Sequence, residues 1–290
     1  TITDYGSGGN NGTNNGATLV SSPVAVEQWN FTDSAGSNDG SSTTLPISAL
    51  VRSDLQFESP YSNFSLKFDK ILNTRVSCGA SPAISSVVSI SCWIKITSGY
   101  VAYQGIFGVR NLPVSPASIP YRLCGNSPGN KIEFRITQSN GTMVDVVSSS
   151  TLSEDVWYNL VGVADGSNIN LYINGVPETP VSYDGTIASA SEDLLIGSQG
   201  SSFASNGFNG NIDEAAIWNT PLTAAQVNQI YNNGLASDLT SLSPISWWRL
   251  GEDAYFVNNK VTIPNQISGG PNALAEVGTQ VNLLKADAPG

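Results

Sequence analysis

The sequence predicts an all-β sandwich of many short strands with one short capped α-helix. Three observations lead there. Apolar runs of strand length recur between turn-forming residues, and 28 Gly and 15 Pro punctuate the 290 residues, as many short strands require. Charged residues make up only 12% of the chain, while polar turn residues are abundant, which argues against a set of solvated helices. Within single runs the apolar positions alternate: Ile169, Leu171 and Ile173 are set against Asn168, Asn170, Tyr172 and Asn174. A period of two puts aliphatics on one face of a strand and amides on the other.

Taken in order, residues 1–22 are almost wholly Gly, Asn, Thr and Ser, a linker-like composition. Residues 1–20 also align without gaps to residues 262–281, sharing Thr-Ile, Ser-Gly-Gly, Asn, Thr and Val in register, which reads as a terminal repeat set against chance likeness of Gly/Asn-rich stretches. The loop FTDSAGSNDG follows, then the alternating run Phe64–Asp69, a strand from Val87 to Ile96, and the short strands GIFGVR, YRLCG and KIEFRITQ. Asp165-Gly166 joins two apolar runs as a hairpin, and Asn174-Gly175 makes a second turn, since these residues tolerate positive φ. DLLIGSQG and FNGNIDEAAIWNTPL supply another strand pair.

The helix is specified by Thr223-Ala-Ala-Gln226, a capping box, with Leu222 and Val227 placed as a hydrophobic staple. Val227, Ile230 and Tyr231 form its apolar face, and Gly234 is the expected stop. Residues 237–290 read as an appended segment in which Trp247, Trp248 and Leu250 bury; the alternative, a Trp pair stacking on sugar rings, ranks below burial. The domain boundaries on this reading are 1–22, 23–236 and 237–290.

The motifs WYNLV at 157–161, LYING at 171–175, LIG at 195–197 and FNGNIDE at 208–214, with SCWI at 91–94 and the capped helix, occur in an order that resembles the laminin-G-like, concanavalin A-like jelly-roll domain. The resemblance covers roughly residues 20–235 and implies the sandwich, but no single activity. Together with SWWRLGED at 246–253 and the Gly/Asn-rich element, it resembles structural proteins of tailed bacteriophages and extracellular adhesins. It implies a non-catalytic structural or adhesion protein on a virion or extracellular surface, with other virion or surface subunits, copies of itself and cell-surface glycans as partners. A secreted lectin-like module assisted by calcium is the alternative, and a glycan-cleaving enzyme the third reading.

Composition narrows the chemistry. A net charge of −11 opposes nucleic-acid binding, which needs clustered Lys and Arg, and no apolar run is long enough to span a bilayer. The chain opens on Thr1 rather than Met, as after processing or in a fragment. The absence of His removes the commonest general base and every Ser-His or Cys-His nucleophile. A glycosidase would need paired carboxylates, yet no Glu-x-Asp-x-Glu or Glu-x-Asp-x-x-Glu strand occurs. Asp213 and Glu214 are adjacent, so strand alternation sends them to opposite faces; in sequences of this kind Asp213 takes a structural hydrogen bond to a turn. No cofactor is expected, though a calcium site is weighed: Asp33, Asn38 and Asp39 form the best oxygen cluster, against a solvated turn. Of Cys78, Cys92 and Cys124 one is unpaired in any scheme; Cys78 and Cys92 could face each other on neighbouring strands, but free buried thiols are the favoured reading. The sequons at Asn11, Asn30, Asn63 and Asn140 match chance for this composition. The N-terminal repeat lacks the strand that precedes its C-terminal counterpart, so an open sheet edge could accept a strand from a neighbouring chain.

Overall fold

The computed structural model describes residues 62, 64–70, 74–97, 103–111, 119–198, 207–257, 260–275, 284–285 and 288–289, all within the compact unit Pro60–Gly290. The expectations placed on residues 1–22 and on Asp33, Asn38 and Asp39 lie outside the described residues.

Among the described residues, eighteen strands and one α-helix follow in chain order. They begin with β1 (Ser65–Phe68), β2 (Val76–Ala80), β3 (Val88–Ile96), β4 (Gly105–Val109), β5 (Tyr121–Asn126), β6 (Lys131–Thr137) and β7 (Met143–Val147). Next come β8 (Trp157–Ala164), β9 (Asn168–Ile173), β10 (Val176–Pro177), β11 (Val181–Ser182), β12 (Asp193–Ile196), β13 (Gly210–Trp218) and α1 (Ala224–Tyr231). The last strands are β14 (Ser246–Trp248), β15 (Tyr255–Val257), β16 (Lys260–Ile263), β17 (Ala273–Ala275) and β18 (Leu284–Lys285). They form two antiparallel sheets. The first has the order β10-β9-β8-β3-β13-β1-β18, with β11 on β9 and β14 on β13; the second runs β15-β16-β17-β2-β12-β4-β5-β6-β7.

The core lies between the sheets. Ile90, Cys92, Ile94, Ile169 and Leu171 from the first meet Phe107, Leu123, Ile132 and Phe134 from the second. The alternation seen in the sequence is what builds it, since every second side chain of a strand faces inward. The sheets approach so closely that a Cβ at Gly162 would lie 2.3 Å from the Phe134 ring. Glycine at 162 is what lets that ring sit flat in the core.

A second apolar layer covers the outer face of the first sheet. Val161, Val163, Trp218, Leu222, Val227, Ile230 and Trp247 bury together there, and Trp93 stacks on Tyr231 with centroids 6.0 Å apart. The helix that closes this layer is capped as its sequence specifies: Gln226 N donates to Thr223 Oγ1, and Thr223 N donates to Gln226 Oε1. Leu222 and Val227 are both buried, as the staple requires. The stop differs from expectation. Asn232 is the left-handed cap, at φ 43°, and Gly234 ends the 3-10 turn after it; Asn can serve because its short polar side chain tolerates the αL region.

The Asp165-Gly166 and Asn174-Gly175 turns are both present, with Gly166 at φ 98°, Asn174 at 51° and Gly175 at 78°. Residues 237–290 contribute β14 and β18 to the first sheet and β15–β17 to the second. Trp247, Trp248 and Leu250 are buried, so neither indole face is open to a sugar. Their N–H groups are satisfied, Trp247 by Glu214 Oε2 at 2.6 Å and Trp248 by Pro271 O at 3.1 Å. The three cysteines are free and buried; Cys78 and Cys92 sit on strands of different sheets rather than on neighbours. Among the described residues no helix is long and apolar enough to cross a membrane.

Candidate functional site

The outer face of the second sheet carries a row of charged side chains on β5, β6 and β7. In β5, β6 and β7 the inward positions are Tyr121, Leu123, Ile132, Phe134, Ile136 and Val146. Alternation therefore turns Arg122, Cys124, Asn126, Lys131, Glu133, Arg135 and Asp145 outward. Register sets them in rows: Arg122 stands opposite Arg135, which stands opposite Asp145, and Cys124 opposite Glu133.

Glu133 is the hub of this face. It is fully buried, and its carboxylate accepts from Arg122 Nη2 at 3.3 Å, Arg135 Nη2 at 3.2 Å, the Cys124 thiol at 3.1 Å and Asn126 Nδ2. Arg135 also reaches Asp145 Oδ1 at 3.4 Å. Arg122 is 5% exposed, and its Nε and Nη1 have no partner; nor does the Nε of Arg135. Donors left unanswered at such depth are uncommon, because an unpaired buried polar group forfeits its hydration. Arg110, at the end of β4, belongs to the same face: burial and the neighbouring Arg122 guanidinium both lower its pKa. Burial raises the Cys124 thiol well above its ordinary range, so it acts as a donor to Glu133 and not as a nucleophile. Gly108, at φ 148°, leaves room for Arg122, whose Cα and Cβ would lie 2.4 and 2.5 Å from a Cβ there.

The first sheet carries a second charged cluster. A register shift between Asp213 and Ala216, opposite Trp93 and Ser91, adds one residue to β13, and Glu214 takes up φ 49°. Such a bulge breaks the alternation. It corrects the expectation that Asp213 and Glu214 face opposite ways: carboxylate oxygens of Asp213, Glu214 and Glu252 lie within 4.8 Å of one another. Glu214 is paired with Arg249 Nε at 3.1 Å. Asp213 accepts from Glu214 N at 2.8 Å and contacts Ser62 Oγ at 2.7 Å, while Ser62 Oγ lies 3.2 Å from Glu252 Oε2. Ser62 Oγ is thus the donor that lies between the two carboxylates. Burial, then the charges of Glu214 and Glu252, raise Asp213 well above the carboxylate range. Burial likewise pushes Glu214 up to about 7, against the opposing pull of Arg249. Arg249 and the Ser62 hydroxyl thus hold the cluster from within. It ties the segment before β1 and the turn after β14 to β13, which gives Asp213 a structural role through partners other than those of a turn.

One further cleft, of about 390 Å³, is lined by residues including Leu194, Ile245, Trp248 and Pro271 and has no charged side chain on its wall. The outer face of the second sheet was not singled out from the sequence, although Lys131-Ile-Glu-Phe-Arg-Ile136 carried the signal: charged residues alternating with aliphatics in a chain with few charges.

Two antiparallel sheets packed face to face, one with a polar outer face and the other covered by the helix, make a jelly-roll sandwich of the concanavalin A-like kind. The chain belongs to the Concanavalin A-like lectin/glucanases superfamily, laminin G type, whose family profile matches residues 73–228. Among solved structures it is similar to a candidate carbohydrate binding protein from Bacteroides ovatus, at 17% identity and a TM-score of 0.58, over 79% of this chain and 61% of that one. The chain therefore spans about three fifths of that protein's length. It is also similar to the LG4-5 domains of mouse laminin alpha1, at 13% identity and a TM-score of 0.43, over 54% of this chain and 41% of that one. No curated protein matches the sequence.

Proposed function

We propose that this chain is a non-catalytic glycan-binding domain, displayed on an extracellular or virion surface, whose binding surface is the outer face of the second sheet. The observation that carries the reading is the graded depth of that face. Glu133 and Arg122 form a buried floor, while Arg135 and Asp145, with side chains 22% and 35% exposed, form a reachable rim. Sugars present many hydroxyls at fixed spacing, and a pleated surface offers donors and acceptors in matching rows.

Hydrolysis is poorly served by the same residues. A glycosidase needs two carboxyl groups flanking the scissile bond, yet the Arg135 guanidinium bridges Glu133 and Asp145, with its Nη2 within 3.4 Å of both. Asp213 and Glu214 are closed off from solvent. The virion placement rests on the resemblance of SWWRLGED and the Gly/Asn-rich element. The calcium-assisted alternative rests on Asp33, Asn38 and Asp39.

The test is a glycan array followed by titration of each hit, with and without a chelator, and a reducing-sugar assay on the same glycans. Saturable binding without turnover is the expected result. Turnover would replace the reading with the enzymatic one, and binding abolished by chelation would favour the calcium-assisted lectin. Immunogold labelling of source material tests location: decoration of a particle supports the virion placement, and label confined to a soluble fraction overturns it.

A further inference from the structure

We propose that the open end of the second sheet is a contact between copies of this chain, in which β15 of one molecule pairs antiparallel with β15 of another. The inference stands apart from the glycan-binding reading, because it uses a strand edge and not a sheet face. β15 comes last in the sheet order, and among the described residues no strand lies beyond it. A strand so placed presents backbone N–H and C=O groups to whatever arrives next.

Other strand ends of the fold are guarded. β7, at the far end of the same sheet, carries Asp145 at its centre, with Arg135 Nη2 at 3.4 Å. β10 has two residues, one of them Pro177, and β18 has two, one of them Lys285. Charge and Pro are common means of blunting an edge. β15 carries neither: from Ala254 to Asn259 the chain reads Ala-Tyr-Phe-Val-Asn-Asn, without charge, Pro or Gly, and its centre is rich in strand formers. Exposed apolar residues gather beside it. Tyr255 is 47% and Leu274 38% exposed, and register sets both in one row through Thr262.

The hydrogen-bonding pattern selects a second copy as the partner. Two positions separate Val257 from Lys260, with which it pairs, and a loop that short closes on a hydrogen-bonded pair. Bonded and non-bonded pairs alternate along an antiparallel ladder. Tyr255 and Val257 therefore turn their N–H and C=O toward β16, and Phe256 turns its own toward the open edge. One donor and one acceptor on the middle residue of a three-residue strand form a self-complementary set. Two copies related by a two-fold axis satisfy both, each Phe256 donating once and accepting once, which is the isologous geometry of a closed dimer. Tyr255 then stands opposite position 257 of the second copy, and the apolar row is covered. A foreign peptide would be read by pockets beside the edge, yet the cleft of about 390 Å³ takes its walls from residues such as Cys78, Leu194 and Trp248 and none from β15.

Three residues a side make a small interface, so the pair is weak, with Kd on the order of 0.1 mM. Each copy carries a net charge of −11, so copies repel at a distance while the contact itself is uncharged. Raising salt screens that repulsion and strengthens the pair.

The experiment is analytical ultracentrifugation of the full chain from about 10 μM to about 1 mM, a range that brackets such a weak contact, at low and high salt. The weight-average mass should climb from monomer toward dimer, and further at high salt. F256P removes the outward N–H where an edge strand tolerates Pro, and Y255K puts a charge on the row. Each should weaken association at least about tenfold with circular dichroism unchanged, while M143K on β7 should leave it intact. Should either variant fail to fold, a cross-link decides. Y255C chains mixed with V257C chains, with oxidised glutathione as oxidant, should give a disulfide-linked pair that neither gives alone, because opposed non-bonded residues have Cα atoms about 4.5 Å apart. The native cysteines are buried and do not compete. A monomer at every concentration would overturn the proposal, as would association that survives both F256P and Y255K or that weakens as salt is raised. Linked pairs of Y255C alone in place of the mixed pair would overturn the antiparallel register and the proposal with it.

Discussion

Replacing Glu133 with Gln keeps the shape of the side chain and removes its charge, so the outcome reports on the buried ion network alone. Arg135 would retain Asp145 at 3.4 Å. Arg122 would not be so placed: its side chain is 6% exposed, and Glu133 is its ionic partner at 3.3 Å. Breaking a buried pair from one side leaves a charge stranded in low dielectric and costs about 3–5 kcal/mol. With an m-value of about 3 kcal/mol/M in urea, the unfolding midpoint of E133Q should fall by about 1 M. The double variant R122M/E133Q removes the stranded charge along with its former partner and should recover most of the loss, because an apolar side chain of similar volume replaces a buried ion at little cost. Urea unfolding followed by tryptophan fluorescence on the four corners of this cycle gives the coupling directly. A midpoint change in E133Q below about 0.3 M, or losses that simply add in the double variant, would refute the claim that Glu133 is the counter-charge for Arg122.

Three other outcomes follow from the structure. The folded-state pKa values of Asp213 and Glu214 are raised, so the stability they confer is complete at acid pH and is lost as pH rises through those values; for Glu214 the window runs from 4.5 to about 7. Urea unfolding across this range should show stability falling at up to about 1.4 kcal/mol per pH unit for each proton lost. A slope unchanged in both D213N and E214Q would contradict the assignment. Replacing Thr223 with Ala removes the reciprocal cap on α1 and should cost about 1 kcal/mol by thermal or chemical unfolding, with T223S close to the parent. An Ala at Gly162 would put its Cβ 2.3 Å from the Phe134 ring and should destabilise by about 1–3 kcal/mol through overpacking. Adding F134L should relieve part of that cost, and its failure to do so would place the clash elsewhere.

Much of this architecture was legible because it depends on local chemistry. Period-two alternation in Ile169–Ile173 fixes which side chains enter the core, and Asp-Gly and Asn-Gly fix where strands reverse, since few other residues accept positive φ. Thr223 and Gln226 cap a helix wherever it packs. The burial of Trp247 and Trp248 was legible for the same reason, through their place in a short alternating strand. The bulge was not: one inserted residue reverses the facing of everything beyond it, and nothing in Asn-Ile-Asp-Glu-Ala-Ala announces where the partner strand will lose register.

The candidate site divides in the same way. The sequence of β6 by itself determined that Lys131, Glu133 and Arg135 share one face, because alternation is a property of a single strand. Tertiary structure alone decided that Arg122 from β5 and Asp145 from β7 stand in line with Arg135, that Glu133 becomes their buried hub, and that Ser62, Asp213 and Glu252, up to 190 positions apart, meet in one cluster. Cross-strand register and long-range contact are set by how whole sheets pack, and no residue carries that information on its own.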